Sequence, residues 1–446
     1  MDKFVGRSAE LNYLEQFYQA SDSQMLVVYG GRGIGKTRLL QEFCKDKRSA
    51  YYLARACSGM EQRYQWAMEC KGKGLEIERY PSWETLFVAE TSYSNQKQIL
   101  VLDEFQHMCK TDDGFFPALC EFVRKSGKET PVLVILCTSA SGWVENSMVD
   151  RIGAYASRIS GFFKVRELSF AAIRELFDAY SLEDAVSGYA VLGGIPGYWK
   201  SFSENLSARE NMITNILTRE SRLHEEMTVF LEQELREPAV YNTILAALAR
   251  DCCKLNDIYK HTNFSRAKIS VYLKILMELD LVEKVYSYES EGQGRSNAQK
   301  GIYRISNPYV RFYFRYLFPN QSLLQLVSPE EFYEAKVKDS YPLFIEETYR
   351  KICREQMKRR FSQVGEWLGK TGSLDIVAVD KDGNISIAAC SYSREMTLQD
   401  YEWLVFSAKK AKINPSEVYM FGEMGFEETL VQLAEEQNVK LVHLWD

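Results

Sequence analysis

Short runs of consecutive apolar residues alternate with amphipathic segments from the N-terminus to residue 168. That pattern belongs to a parallel α/β sheet whose strands are covered on both faces. Residues 25–29 (MLVVY), 50–53, 99–102 (ILVL), 132–137 (VLVILC) and 164–168 predict the strands, with the last at an edge. Residues 37–44 and 115–124 carry apolar side chains at helical spacing and predict amphipathic helices. At Ser169 the strand pattern stops. The run LSFAAIRELFDAY places that serine ahead of apolar-periodic positions, which predicts a capped helix. The segment GGIPGY at 193–198 interrupts, and residues 212–235 predict a long helix, so 169–235 reads as a helical lid.

Helices are predicted next over 242–249, 255–262 and 265–279, followed by strands over 281–288 and 301–305 around a polar loop at 290–300. That order is a winged helix-turn-helix, assigned to 236–318. The remainder, 319–446, predicts a further α/β unit: a hairpin of 374–379 and 385–389 across 380–384, a helix over 398–411, a strand over 417–421, a helix over 427–437 and a strand over 441–444.

The chemistry concentrates where the first predicted strand ends. Gly30, Gly31, Arg32, Gly33, Ile34, Gly35, Lys36 and Thr37 fit G-x-x-x-x-G-K-[ST], with a strand before and a helix after. Glycines let backbone N–H groups wrap phosphates, and the helix N-terminus adds partial positive charge. In such a loop Lys36 reaches the β and γ phosphates, and the Thr37 hydroxyl ligates Mg²⁺. The run Ile99-Leu100-Val101-Leu102 then ends in Asp103 and Glu104, a Walker B pattern. Asp103 would hold Mg²⁺, and Glu104 would orient or activate the attacking water. ATP and Mg²⁺ are the expected cofactors. Cys137-Thr138-Ser139 ends the neighbouring strand and offers a polar contact to the γ-phosphate. Arg158 is the candidate for transition-state charge, the plain alternative being a surface arginine near Arg151 and Arg166.

Composition narrows the field. The 446 residues are 46% hydrophobic and 26% charged, the balance of a globular chain of about three domains. A net charge of -6 argues against a surface that coats nucleic acid throughout, without excluding a local basic face. The 10 cysteines form no CxxC, and the 4 histidines have no ligand spacing, so neither a Cys/His metal site nor a histidine-based triad is expected. The N-terminus, MDKFVGRSAEL, lacks an apolar signal segment, and no run approaches the ~20 residues that span a bilayer. The expectation is a cytoplasmic protein with no membrane partner.

The winged-helix segment is modestly basic. Arg266 and Lys268 begin its recognition helix, and Arg295 and Lys300 stand in the wing; these are the candidate contacts to double-stranded DNA. A second cluster, Arg350, Lys351, Arg354, Lys358, Arg359 and Arg360, opens the last domain. For each of these, a solvated helix face is the bland alternative.

Phe4-Val5-Gly6-Arg7-Ser8-Ala9-Glu10-Leu11 resembles the box that opens STAND-type and archaeal-type AAA ATPases. The glycine loop, Asp103-Glu104-Phe105-Gln106 and Gly194-Ile195-Pro196 resemble that family too, over residues 1–318. The resemblance implies that 1–168 is a P-loop NTPase domain, and that the opening box lies near the adenine with the G-x-P turn closing over the nucleotide. Val5, Gly6, Arg7 and Pro196 would then join Gly31, Gly33, Ile34, Gly35, Lys36, Thr37 and Arg38 at the nucleotide. The C-terminal part is similar to the PD-(D/E)xK nuclease-like domain often appended to such ATPases. Gly365-Glu366-Trp367 and Asp375-Ile376-Val377-Ala378 carry that likeness. The expected acid and lysine are replaced by Ala389-Cys390-Ser391, so this restriction-endonuclease-like domain is expected to bind and not to cleave. Two functions stay open: a slowly hydrolysing, nucleotide-gated regulator that binds DNA or a protein partner, and a DNA-stimulated ATPase motor or remodeller in DNA processing or defence.

Overall fold

Strand registers and alternating burial build the first sheet. β1 (Gln24–Tyr29), β2 (Ser49–Leu53), β3 (Gln98–Asp103), β4 (Val132–Thr138) and β5 (Gly161–Lys164) run parallel in the order β2-β3-β4-β1-β5. Successive side chains enter opposite faces. Leu26, Val28, Ile99, Val101, Leu133 and Ile135 meet Leu39, Leu40 and Phe43 of the helix Lys36–Cys44. Val27, Leu100, Leu102, Val134 and Leu136 meet Trp66, Trp83, Phe87 and Phe115 on the other face. Each such side chain contributes about 1.5–3 kcal/mol when fully buried, so the continuous apolar runs are held from both sides.

The computed structural model describes residues 3–91, 97–126, 131–234, 237–288 and 301–444. Its contacts divide the chain into two units. One runs to Leu168 and takes in Ile195–Trp199 and Glu278–Asp280; the other holds the rest. In the second unit, Ser169 caps the helix Phe170–Leu176 by accepting from Ala172 N at 3.3 Å. The helices Pro238–Leu248, Leu255–Thr262 and Arg266–Glu278 precede the antiparallel pair β6 (Val282–Val285) and β7 (Ile302–Ile305), as the winged-helix reading requires. A separate α/β sheet closes the chain: β8 (Gln363–Leu368), β9 (Ser373–Val379), β10 (Ile385–Ser391), β11 (Glu417–Gly422) and β12 (Val439–Val442), in the order β12-β11-β10-β9-β8. Bonds tie this sheet to the winged helix. Tyr288 N donates to Glu366 O at 2.7 Å, and Leu368 N donates to Ser287 Oγ at 2.8 Å. Phe312 and Tyr316 pack on Phe344 of the helix Tyr341–Met357, at ring separations of 5.9 and 5.5 Å.

Three expected elements form elsewhere. The edge strand occupies Gly161–Lys164 and not 164–168, because its partner β1 ends at Tyr29, which pairs with Lys164 before the chain turns into Gly30. The long helix expected over 212–235 is broken. A helix Ala208–Met212 passes into a π-helical turn, Ile213–Leu217, and stops where Thr218 N and Oγ1 both bond Ile213 O. A new helix, Arg222–Glu234, follows, and residue 235 lies outside the described residues. The last strand forms two residues early because Val418 pairs with Val439. β8 was legible only as a glycine-tryptophan box, and the helix Tyr341–Met357 only as a basic cluster.

Candidate functional site

Residues 30–37 join β1 to the helix Lys36–Cys44 at the C-terminal edge of the parallel sheet. Gly33 (φ +76°) and Gly35 (φ +98°) adopt conformations that other residues rarely take. Gly35 is the helix N-cap, so no side chain covers the outward N–H groups of the first turn. Lys36 is buried, and its Nζ donates to the carbonyls of Gly30 (2.7 Å) and Gly31 (2.9 Å). A Cβ on Gly31 would meet nothing within 4 Å, so that glycine is set by no close neighbour. Arg38 is exposed in the first turn of the helix.

Two further segments brace the loop. Arg7 is buried; it donates to Ile34 O at 2.9 Å and pairs with Glu10 at 2.7 Å. Val5 is half-buried beside it, and Gly6 has φ +65°. From the other side, Gly197 N donates to Gly33 O at 2.9 Å, and a Cβ on Gly197 would stand only 2.9 Å from Gly33 Cα. Pro196 Cγ lies 3.8 Å from where a Gly35 Cβ would be. The opening box and the G-x-P turn therefore both reach the glycine loop.

β4 separates β1 from β3, yet the Thr37 hydroxyl donates to Asp103 Oδ2 at 3.3 Å. The Tyr51 hydroxyl, on neighbouring β2, donates to the same oxygen at 2.6 Å. Burial, and then the Asp103 carboxylate, push the Tyr51 phenol well above its ordinary range, so it stays a donor. Glu104 N donates to Asp103 Oδ1 at 2.9 Å. Burial likewise holds the Cys137 thiol, beside Asp103, in its neutral form.

Glu104 itself has φ +50°, a left-handed conformation that costs roughly 1–2 kcal/mol in a non-glycine residue. Its Oε2 accepts from Ser139 N (3.1 Å) and from Gln106 Nε2 (2.7 Å). Buried Gln106 accepts in turn from buried Thr138 Oγ1 at 2.5 Å, and that hydroxyl accepts from Ala140 N at 3.0 Å. This chain fixes the Glu104 carboxylate against the end of β4. Its Oε1 has no protein donor among the described residues.

Lys36, Thr37, Asp103 and Glu104 thus converge, with Arg7 and Pro196 bracing the loop. Arg158 does not join them. It is exposed at the end of the turn Gly153–Arg158 that leads into β5, at the N-terminal edge of a sheet whose glycine loop stands at the C-terminal edge. Burial raises the Cys120 thiol, and the Arg158 charge offsets part of that rise. Tyr51 and the bridging role of Gln106 had no signal in one sequence: a tyrosine on a half-buried strand reads as packing.

The DNA candidates divide. Arg266 and Lys268 are exposed at the start of the recognition helix. Arg266 bonds Asn256 Oδ1 at 2.6 Å and lies over the Tyr259 ring, and Lys268 lies over Phe264 and Tyr272. Arg295 and Lys300 lie outside the described residues. In the second basic cluster, Arg350 pairs with Asp375 at 3.2 Å, Arg354 donates to Asp375 O and Arg360 donates to the Tyr419 hydroxyl. Those three bond to the last sheet, although Arg360 stays exposed beside exposed Lys358 and Arg359. Asp375 also accepts from Cys390 N at 3.1 Å. Among the described residues no three or more His, Cys, Asp or Glu side chains gather as a metal site, and no helix is long and apolar enough to cross a membrane.

A parallel sheet with the glycine loop after β1 and paired acids at the tip of a non-adjacent strand defines a P-loop NTPase fold. Comparison with known proteins places an AAA ATPase domain over residues 3–135. Residues 242–284 match the bacterial regulatory protein, arsR family, and cover the helix-turn-helix. Residues 313–404 match a family described as archaea bacterial proteins of unknown function, which does not speak for a nuclease-like origin. An uncharacterized protein of Methanocaldococcus jannaschii is 24% identical over 388 residues, 84% of this chain and 84% of that one. An uncharacterized ATP-binding protein of the same organism is 36% identical over 45 residues, 10% of this chain and 76% of that one. Among solved structures, the Walker-type ATPase of Pyrococcus abyssi superposes with a TM-score of 0.51 at 16% identity, covering 70% of this chain and 96% of that chain. That likeness speaks for the fold.

Proposed function

We propose that this chain binds ATP with Mg²⁺ at the loop 30–37, hydrolyses it slowly, and uses the nucleotide state to regulate binding to DNA or to a protein partner. The observation that carries the reading is the meeting of Thr37 and Asp103 at 3.3 Å across β4, beside a Glu104 held in a left-handed conformation. A hydroxyl and a carboxylate oxygen suit a hard cation that prefers oxygen ligands. Such a cation, when bound, neutralises charge developing on the transferred phosphoryl group. The loop N–H groups and Lys36 would hold the phosphates, and Glu104 Oε1 would accept a proton from the attacking water. Arg7 and the turn at Pro196 support the reading by fixing the loop from both sides.

The exposed start of the recognition helix and the arsR-type match support DNA as the partner. The resemblance of Gly365-Glu366-Trp367 and Asp375-Ile376-Val377-Ala378 carries the reading of the last sheet as a nuclease-like fold kept for binding, and Arg350 beside the Asp375 carboxylate supports the loss of cleavage. A motor with steady turnover is the second reading, favoured by the presence of Glu104. ATP turnover with Mg²⁺, measured with and without duplex DNA, separates them. A regulator is expected to bind ATP tightly and turn over slowly, whereas turnover raised many-fold by DNA would favour the motor. Failure to bind ATP would overturn both.

Tyr51 is expected to position the metal-holding carboxylate. Removing its hydroxyl in Tyr51→Phe should raise the Mg²⁺ concentration for half-maximal ATP binding by about tenfold, as loss of an outer partner of a ligand does. Nucleotide affinity without Mg²⁺ should stay as in the parent chain. An unchanged Mg²⁺ dependence would leave Tyr51 as strand packing only.

A further inference from the structure

In the second unit a cavity of about 280 Å³ opens between the loop after the helix Pro238–Leu248, β7 and the helix Tyr341–Met357. Arg304, Arg311, Arg315 and Arg350 line it, with Phe344 forming an apolar wall. Guanidiniums gathered on one concave surface repel one another and are retained only with anionic partners. Three of the four are oriented by carboxylates. Arg304 bonds Glu366 at 2.6 Å, Arg311 bonds Glu347 while lying 4.1 Å over the Phe344 ring, and Arg350 stands 3.2 Å from Asp375. Glu366 and Asp375 are not among the lining residues, so they fix the forks of Arg304 and Arg350 from behind.

The lining is short of acceptors. Glu346 spends its carboxylate on Tyr392 N, Ser393 N and Ser393 Oγ. Glu347 is taken by Arg311, and Asp251 is 91% exposed. Arg315 donates to Ala249 O at 3.1 Å and comes no nearer than 4.0 Å to Asp251. The buried Nε of Arg350 has no hydrogen-bond partner despite the nearby Asp375. Arg315, a guanidinium without a close carboxylate, and Arg350, which faces Asp375 through its buried Nε, therefore share a cavity.

We propose that this cavity binds a small ligand carrying a phosphate group, which Arg315 and Arg350 grip and whose organic body rests on Phe344. The planar fork of arginine matches phosphate oxygens with parallel N–H donors, and a tetrahedral oxyanion accepts from several directions at once. The volume lies near the lower end of small-molecule sites, which start at about 300 Å³. It suits a phosphate monoester with a few carbons. This site is separate from the glycine loop, so its failure would leave the ATPase reading untouched.

The test uses the full chain carrying Lys36→Ala, which silences the other phosphate site, and titrates glycerol 3-phosphate and inorganic pyrophosphate by calorimetry. Binding is expected. Adding Arg315→Gln should weaken it about tenfold to a hundredfold, the range for one charge-assisted hydrogen-bonding group, at an unchanged melting temperature. Arg315→Lys should recover part of the loss. Arg350→Gln can disturb folding through Asp375, and the half-exposed Arg315 keeps the test decisive. Absence of binding to the Lys36→Ala chain would overturn the proposal. Binding that ignores both arginine substitutions would overturn it equally, leaving the four arginines a purely structural network.

Discussion

Replacing Lys36 with alanine is expected to weaken ATP binding by about a hundredfold or more, the effect of losing hydrogen bonds from a charged donor to two phosphates. The Lys36 amine sits at the start of the helix, drawn over the loop by the carbonyls of Gly30 and Gly31. Alanine leaves those carbonyls without their donor, Gly30 O at a buried position and Gly31 O at a half-buried one. The cost to folding should therefore be about 1–3 kcal/mol, that of a buried acceptor left unsatisfied. Anisotropy of a fluorescent ATP analogue, read beside the melting temperature, checks both halves. Parental affinity in a folded variant would remove the loop from the nucleotide site. A chain that no longer folds would show Lys36 to be structural first.

Glu104→Gln is expected to lower turnover by about 10²–10⁴-fold, the contribution of a positioned general base, while ATP stays bound. The geometry makes this substitution unusually clean. Both donors to the carboxylate, Ser139 N and Gln106 Nε2, converge on Oε2. A glutamine can place its amide oxygen there, keep both bonds, and present an NH₂ where Oε1 stood. The backbone, already left-handed at φ +50°, need not move. Single-turnover hydrolysis beside retained nucleotide after gel filtration separates the step from binding. Unchanged hydrolysis would assign water activation to another group.

Most of the glycine loop and its paired acids was legible because the pattern is local. Residues 30–37 announce their own geometry, and Asp103 and Glu104 follow a run of apolar residues that could only be a buried strand. What sequence order could not supply was lateral register. Tyr51 meets Asp103 because β2 lies beside β3 with Leu53 opposite Asp103, and no periodicity reveals that pairing. Arg158 stands apart from the glycine loop for the same reason. It precedes the edge strand, which suggests nearness, but in a parallel sheet the residue before a strand is at the far edge from the residue after one. The basic cluster 350–360 is a different case: its charges look uniformly solvated until carboxylate partners distant in sequence are placed opposite Arg350 and Arg360. The helix break at 218 is likewise invisible to apolar spacing, since the π-helical turn before it keeps Ile213, Ile216 and Leu217 buried.

The bonds joining the winged helix to the last sheet bear on how such a gene can change over time. A frame that stopped near residue 318 would leave Phe312 and Tyr316 without Phe344, and Arg311 without Glu347. Tyr288 N and Arg304 would lose Glu366 as well. A truncated descendant would inherit a sticky aromatic surface and stranded charge, and would be purged as an aggregating product. The two parts must therefore be gained, exchanged and lost as one heritable block. Recombination that cuts between the wing and the sheet that follows it would part these partners.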